Sequence, residues 1–280
     1  MSNARTRTMT LLFISARIAA LCFAVYLLAL TWLWFRQEKL IFAPTVLPAD
    51  FVLAKDPDVH EVAIDVPGAR LSALHLRLPN PKGVVFFLHG NGGALDSWFV
   101  KPAYYRAANY DLFMIDYRGY GKSTGKIESE EQLRADVRAA WATVAPQYAG
   151  RKLVIYGRSL GSGLAAGLSA EMTAQHRPAD LTVMVSSYSS MSALATETDP
   201  LVPQFVQRYP MRTDQLVGQI HGPLLLIHGA QDTMIAPHHS DLLKTLAPQA
   251  TLVYVPGGAH NDLQDFDVYL NAFAKALADL

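Results

Sequence analysis

Cysteine is almost missing from this sequence: Cys22 stands alone in 280 residues. No intrachain disulfide can brace the fold, and the redox compartment is left undecided. Net charge is missing too, since 24 Lys+Arg balance 24 Asp+Glu. Without a basic run the chain lacks the electrostatic footprint of a nucleic-acid partner. Metal-ligand spacing is absent: the histidines and carboxylates do not fall into an H-E-x-x-H pattern, and there are no cysteine ligands. Neither glycine-rich loop continues into the Lys-Ser/Thr of a phosphate-binding loop, and no dinucleotide fingerprint occurs. The composition therefore points to no metal and no cofactor.

What the chain has is apolar residues, 51% of the total. Ile18 to Phe35 (IAALCFAVYLLALTWLWF) is an uncharged run of 18 residues, enough to cross a bilayer's hydrocarbon core at roughly 1.5 Å per residue. Trp32, Trp34 and Phe35 belong near one interface, with Arg36 and Lys39 beyond it. The run extends upstream through Leu11 to Ile14 and is interrupted by Arg17, whose long side chain can snorkel. A cleaved signal peptide is the rival reading, but the apolar region is too long and no small-x-small cleavage site follows. A retained anchor is expected over residues 1–42, with the remainder, 43–280, forming one domain. Arg5, Arg7 and Arg17 slightly outweigh Arg36 and Lys39, which favours an inside N-terminus and an extracytoplasmic or periplasmic domain.

After a Pro-bearing connector, Val62, Ile64 and Val66 alternate with polar or small residues, as do Leu74, Leu76 and Leu78. Pro67-Gly68 between them predicts an antiparallel hairpin at a sheet edge. Apolar strands then alternate with helices: Gly83 to Leu88, Tyr110 to Asp116, Lys152 to Tyr156, Leu181 to Val185, Pro223 to Ile227 and Thr251 to Val255. This is the α/β class, with a mostly parallel sheet covered on both faces. Ser129 and Gln132 have capping-box spacing before the helix that carries Leu133, Val137, Ala140, Trp141 and Val144. Residues 186–222 hold no strand signal and are too long for an ordinary loop. Their scattered apolar residues predict a small cap over the crevice at the strands' C-terminal ends.

The strand ending at Tyr156 runs into Gly157-Arg158-Ser159-Leu160-Gly161 and then a small-residue helix. G-x-S-x-G between a strand and a helix is the context of a nucleophile elbow, a sharp turn that pushes the serine hydroxyl clear of the sheet. The glycines leave room where backbones approach, and the helix start favours a developing anion. A serine nucleophile needs a base, an orienting acid and oxyanion donors. His260 follows the last strand through the flexible Pro256-Gly257-Gly258-Ala259 turn and is the base candidate. His89 and His228 each precede a glycine at a strand end and read as structural. Asp232 follows the penultimate strand and gives the chain order Ser…Asp…His. Asp199 and Asp214 are rivals for the acid, a helix-start cap is the plain alternative for Asp232, and Asp262 reads as a cap. Oxyanion donors are expected from the N–H of Leu160 and from the His89-Gly90-Asn91-Gly92-Gly93 loop, chiefly Asn91.

Five segments in order, LHGNGG, DYRGYGKSTG, YGRSLGSG, IHGAQDTMI and GGAHND, resemble the α/β-hydrolase superfamily. Together with the hydrophobic N-terminus and FRQEKLIFAP they are most similar to the membrane-anchored Bem46-like serine hydrolases, relatives of the ABHD13 and ABHD17 groups. Gly92-Gly93 departs from that group's usual small-residue pair after the asparagine. The resemblance implies Ser159 as nucleophile, Asp232 as acid, His260 as base, and Asn91 and Leu160 as oxyanion donors. It implies hydrolysis of carboxylic esters or thioesters, on a small-molecule or lipid acyl substrate. A lysophospholipid or monoacylglycerol lipase, an aminopeptidase on the same three residues and a non-catalytic binding module are the alternatives.

Overall fold

The computed structural model describes residues 2–280, with side chains from residue 7 onward, so the side chain of Arg5 lies outside the described residues. The chain starts as one unbroken helix, α1 (Ser2–Ile41). From Arg7 to Ile41 it is long and apolar enough to cross a membrane. Eight strands form the main sheet: β1 (Val59–Val66), β2 (Ala69–Leu76), β3 (Gly83–Leu88), β4 (Tyr110–Ile115), β5 (Lys152–Arg158), β6 (Leu181–Val185), β7 (Leu224–Gly229) and β8 (Thr251–Val255). Their order across the sheet is β8-β7-β6-β5-β3-β4-β2-β1. β1 and β2 form the expected antiparallel hairpin through Pro67 and Gly68, and β2 also runs antiparallel to β4. All other pairings are parallel. The fold is thus an α/β-hydrolase sheet, mostly parallel, with helices on both faces.

The helices are α2 (Leu95–Trp98), α3 (Pro102–Ala108), α4 (Glu130–Val144), α5 (Leu160–Ala174), α6 (Met191–Thr198), α7 (Thr213–Leu216), α8 (His238–Leu246) and α9 (Asp267–Ala278). Alternate side chains of each central strand enter opposite cores, as the period of two requires. Phe86 and Ile155 pack with Trp141 of α4 and Leu164 of α5. Phe87 and Tyr156 pack with Tyr105 of α3 and Phe273 of α9. The Ser129 hydroxyl caps α4 by accepting from Gln132 N–H at 3.1 Å. The reciprocal bond goes one residue upstream, from Glu128 N–H to the Gln132 side chain at 2.9 Å.

The glycine-rich turn after β4 is held by a buried ion pair. Arg118 lays Nε and Nη2 on the two Asp136 oxygens at 2.5 and 2.9 Å. Both side chains are almost fully buried, at 5% and 2% exposure. Such a pair contributes little against an apolar replacement, but removing one partner strands a charge.

The 186–222 insertion requires a correction. It does not lie over the crevice beside Ser159, because none of its residues lines that pocket. It folds against the N-terminal ends of α4 and α5 and against α1. Met211 N–H donates to the Glu130 carboxylate at 2.8 Å, and the Tyr188 hydroxyl donates to Leu160 O at 3.1 Å. Tyr209 packs edge-on against Phe42 with ring centroids 5.2 Å apart. Tyr188, Val206, Tyr209 and Met211 are buried there, whereas Leu201 and Phe205 stay exposed; their scatter in the sequence could not say which surface they would cover.

Replacing Asp136 by alanine is expected to destabilise the protein by about 3–5 kcal/mol through the uncompensated Arg118 charge. The check is the unfolding midpoint in denaturant, measured beside the wild-type chain.

Candidate active site

β5 ends by turning straight into α5, and Ser159 occupies the turn with φ 52° and ψ −119°. Positive φ is costly for a side chain with a Cβ, so the surroundings must enforce it. Ser159 N–H donates to Val185 O at 2.9 Å, and the Ser162 hydroxyl donates to Ser159 O at 2.7 Å. A Cβ on Gly157 would lie 2.2 Å from Gly161 O, and one on Gly161 only 2.0 Å from Leu88 O. The two glycines are therefore required by contact of β5, α5 and β3 backbone with backbone.

The turn after β8 carries His260 and the turn after β7 carries Asp232. His260 Nδ1 lies 2.7 Å from Asp232 Oδ2, and Nε2 lies 3.0 Å from Ser159 Oγ. A carboxylate can only accept, so Nδ1 donates to it, and the Nε2 of the neutral ring accepts from the serine hydroxyl. Ser159, Asp232 and His260 are each at most 9% exposed. Asp232 Oδ1 also accepts from Met234 and Ile235 N–H, both at 2.9 Å. Burial alone pushes the Asp232 carboxyl up, but hydrogen bonding from His228, His260 and Ile235 N–H outweighs it and holds the group well below the usual carboxylate range.

The rival acids are engaged elsewhere. Asp214 pairs with Arg212 at 2.7 Å, and Asp199 Oδ1 accepts from Leu201 N–H at 3.2 Å. Asp262 precedes a short 3₁₀ turn and accepts from Ala259 N–H at 2.8 Å, bracing the loop before His260. His228 donates from Nε2 to Ile235 O at 2.8 Å and accepts at Nδ1 from the Ser240 hydroxyl at 2.6 Å. His89 donates from Nδ1 to Gly90 O at 2.7 Å.

Leu160 is the first residue of α5. The loop after β3 lies against the elbow, since a Cβ on Gly90 would stand 3.6 Å from Ser159 Cβ. Asn91 lines the same pocket as Ser159 and His260. Its side-chain amide donates to Ile41 O at 3.1 Å, and its carbonyl accepts from the Tyr120 hydroxyl at 2.7 Å.

A family model described as "Serine aminopeptidase, S33" matches residues 79–213. A human relative, alpha/beta hydrolase domain-containing protein 17B, is 28% identical over 214 residues, covering 72% of this chain and 69% of its own. An uncharacterised protein of Mycobacterium tuberculosis is 27% identical over 261 residues, 89% of each chain. A solved esterase of Pyrococcus furiosus superposes with a TM-score of 0.63 at 16% identity, covering 85% of this chain and 97% of its own. The thioesterase domain from the curacin biosynthetic pathway does so at 0.59 and 15%, covering 79% and 99%.

The chain has the fold and the ordered motifs of the α/β hydrolases. Its similarity to protein 17B agrees with the Bem46-like resemblance of its motifs. Beside Ser159 the protein has a pocket of about 500 Å³. Its apolar walls include Phe87, Trp98, Tyr104, Tyr156, Tyr269 and Phe273. Much of this wall comes from α2, α3 and α9, which the sequence reading did not assign to the site.

Arg158, the variable residue of G-x-S-x-G, was also missed. Its guanidinium donates to His260 O at 2.9 Å and to the Gln264 side chain at 2.8 Å, and it lies 5.6 Å from the Trp98 ring centre. One side chain thus ties the elbow to the His260 loop. Its signal was a cation at the C-terminal end of a strand whose middle, Leu153 to Tyr156, is apolar.

The depressed Asp232 carboxyl fixes a pH dependence. The folded state binds fewer protons at this group than the unfolded chain does. The stabilisation is fully present above an ordinary carboxyl value of about 4 and fades as pH falls toward the folded value. The unfolding free energies of wild type and Asp232→Asn are therefore expected to converge as pH drops below about 4. Denaturant titrations across the acid range read this directly.

Proposed function

We propose that this hydrolase cleaves carboxylic esters or thioesters through an acyl-enzyme formed on Ser159. The observation that carries the reading is the relay in which His260 bridges Ser159 Oγ at 3.0 Å and Asp232 Oδ2 at 2.7 Å. Ser159 Oγ attacks the acyl carbonyl carbon as His260 Nε2 takes its proton. Asp232 accepts from Nδ1–H, fixes the ring's tautomer and stabilises the imidazolium. The backbone N–H groups of Leu160 and Asn91 donate to the oxyanion of the tetrahedral intermediate. Collapse expels the alcohol or thiol, which leaves with the proton from His260. The same ring then deprotonates a water that attacks the acyl-serine, and Ser159 is released with its proton restored.

The aromatic walls suit an acyl chain, which gains from leaving water and presents no polar group to satisfy. An aminopeptidase needs an anion to hold the substrate's ammonium group. No Asp or Glu is among the residues lining the pocket, which favours esters and thioesters over aminoacyl amides. In this reading residues 1–42 are a membrane anchor and connector, 43–280 are the catalytic domain, and that domain faces the extracytoplasmic side.

Ser159→Ala is expected to lower kcat on a short-chain p-nitrophenyl ester by about 10⁶-fold and to abolish labelling by a fluorophosphonate probe. Near-wild-type turnover by the variant would overturn the assignment.

A further inference from the structure

α1 does not stand clear of the rest of the chain. Between residues 26 and 37 its covered side chains are Tyr26, Leu30, Leu33 and Gln37, and the others are exposed. Spacings of four, three and four residues put them on one helix face. The insertion is what covers that face. The Tyr26 hydroxyl donates to Leu201 O at 2.7 Å, and the Gln37 side-chain amide donates to Val206 O at 2.7 Å. Gln37 Oε1 accepts from Arg208 N–H at 2.8 Å, and the Glu38 carboxylate takes the Arg208 guanidinium at 2.5 Å. From Leu201 to Val206 the insertion therefore climbs α1 from Tyr26 to Gln37, which at 1.5 Å per residue is roughly 16 Å.

That register sets a depth. In the uncharged run Ile18 to Phe35, Tyr26 lies nine residues inside the outer end, or roughly 13 Å. Sliding the span toward the N-terminus would lift the insertion clear, but it would bring Arg17 toward the bilayer centre, where a charged side chain is least tolerated. The segment at this depth, Pro200-Leu201-Val202-Pro203-Gln204-Phe205-Val206, carries no charge. Leu201 is 74% and Phe205 80% exposed.

Irregular backbone is admitted to a membrane only where its polar groups are satisfied. Here two prolines have no N–H to satisfy. Val202 N–H donates to Asp199 O at 3.1 Å and Val206 N–H to Pro203 O at 3.1 Å. The carbonyls of Leu201 and Val206 accept from α1. Asp199, the carboxylate beside the segment, is turned back onto Leu201 N–H. Past Phe35, at headgroup level, Lys39 lines a groove of about 590 Å³ together with the ion pairs Arg208–Glu38 and Lys126–Glu128.

We propose that segment 200–206 is a second membrane-embedded element, seated beside α1 in the leaflet facing the catalytic domain, with Leu201 and Phe205 against lipid acyl chains. This rests on the reading of α1 as an anchor. Two embedded elements fix the rotation of the domain about the helix axis, which a single span leaves free.

The test uses the full-length chain with Cys22→Ser, reconstituted in phosphatidylcholine–phosphatidylglycerol vesicles. The environment-sensitive fluorophore NBD is attached at Leu201→Cys, Phe205→Cys, Leu28→Cys on the exposed face of α1, or Thr251→Cys at the far end of β8. Fluorophosphonate labelling verifies that each variant is folded. The expected result is blue-shifted emission at 28, 201 and 205, with quenching by acyl-chain nitroxide lipids and loss of quenching by aqueous iodide; position 251 behaves oppositely. Position 28 in lipid with 201 and 205 open to iodide overturns the proposal and leaves the anchor standing. Position 28 open to iodide overturns the anchor and the proposal with it. Positions 201 and 205 shielded from both quenchers also overturn it, in favour of a second copy of the chain covering the segment.

Discussion

The turn at Ser159 is the constraint on which the rest of the site depends. A non-glycine residue held at φ 52° stores strain of about 1–3 kcal/mol and persists only where the surrounding structure enforces it. β5 lies hydrogen-bonded between β3 and β6. α5 presses on the end of β3 so closely that a single methyl group at Gly161 would meet Leu88 O. Strand, helix and neighbouring strand thus fix the elbow from three directions. Because β3, β5, β7 and β8 are parallel, the loops that leave their C-terminal ends emerge on one side of the sheet. That is why residues 91, 159, 232 and 260 meet although more than 160 positions separate the first from the last.

Around this turn, polarity is concentrated in a small number of well-satisfied groups. Asp232 accepts from Met234 N–H, Ile235 N–H and His260, with the His228 ring nitrogen 3.4 Å away. A buried carboxylate with so many donors stays charged despite its desolvation. His260 is gripped from its backbone side by Arg158 and from its ring side by Asp232. Neither grip uses Nε2, which leaves that nitrogen to the serine. Much of the remaining wall is aromatic, with Phe87, Trp98, Tyr104, Tyr156, Tyr269 and Phe273.

The sequence made some of this legible and hid the rest for physical reasons. Strands β3 to β7 could be read because a strand buried on both faces is a continuous apolar run, and the edge strand β8 carries a similar run although only Val255 is buried. His260 and Asp232 could be picked out because each follows such a run through glycine-bearing or polar turn residues. Arg158 could not, because its value lies in contacts to Gln264 and Trp98, which are distant in sequence. The aromatic wall from α2 and α3 was equally hidden: Trp98, Tyr104 and Tyr105 occupy short helices without a sustained period. The insertion was misplaced because apolar residues announce burial, not the surface against which they are buried. Its partners are α1 and the N-terminal ends of α4 and α5, all distant in sequence from most of its residues.

The junction between α1 and the site argues against treating the two as separable. Immediately after α1, Ala43 and Pro44 pair with Gly92 and Gly93 in a two-residue parallel bridge. Ile41 O accepts from the Asn91 side chain, and Ala43 N–H donates to Asn91 O. Phe42 is buried at 6% exposure among Tyr120, Tyr209 and Met211, and Gln37 is buried against the insertion. Cutting the chain at residue 43 would remove the Phe42 ring, expose Tyr209 and free the Asn91 side chain. The loop facing the elbow is thus fastened directly to the end of the long helix. Whatever holds that helix also sets the distance and tilt of the pocket, so the helix works as part of the site's frame.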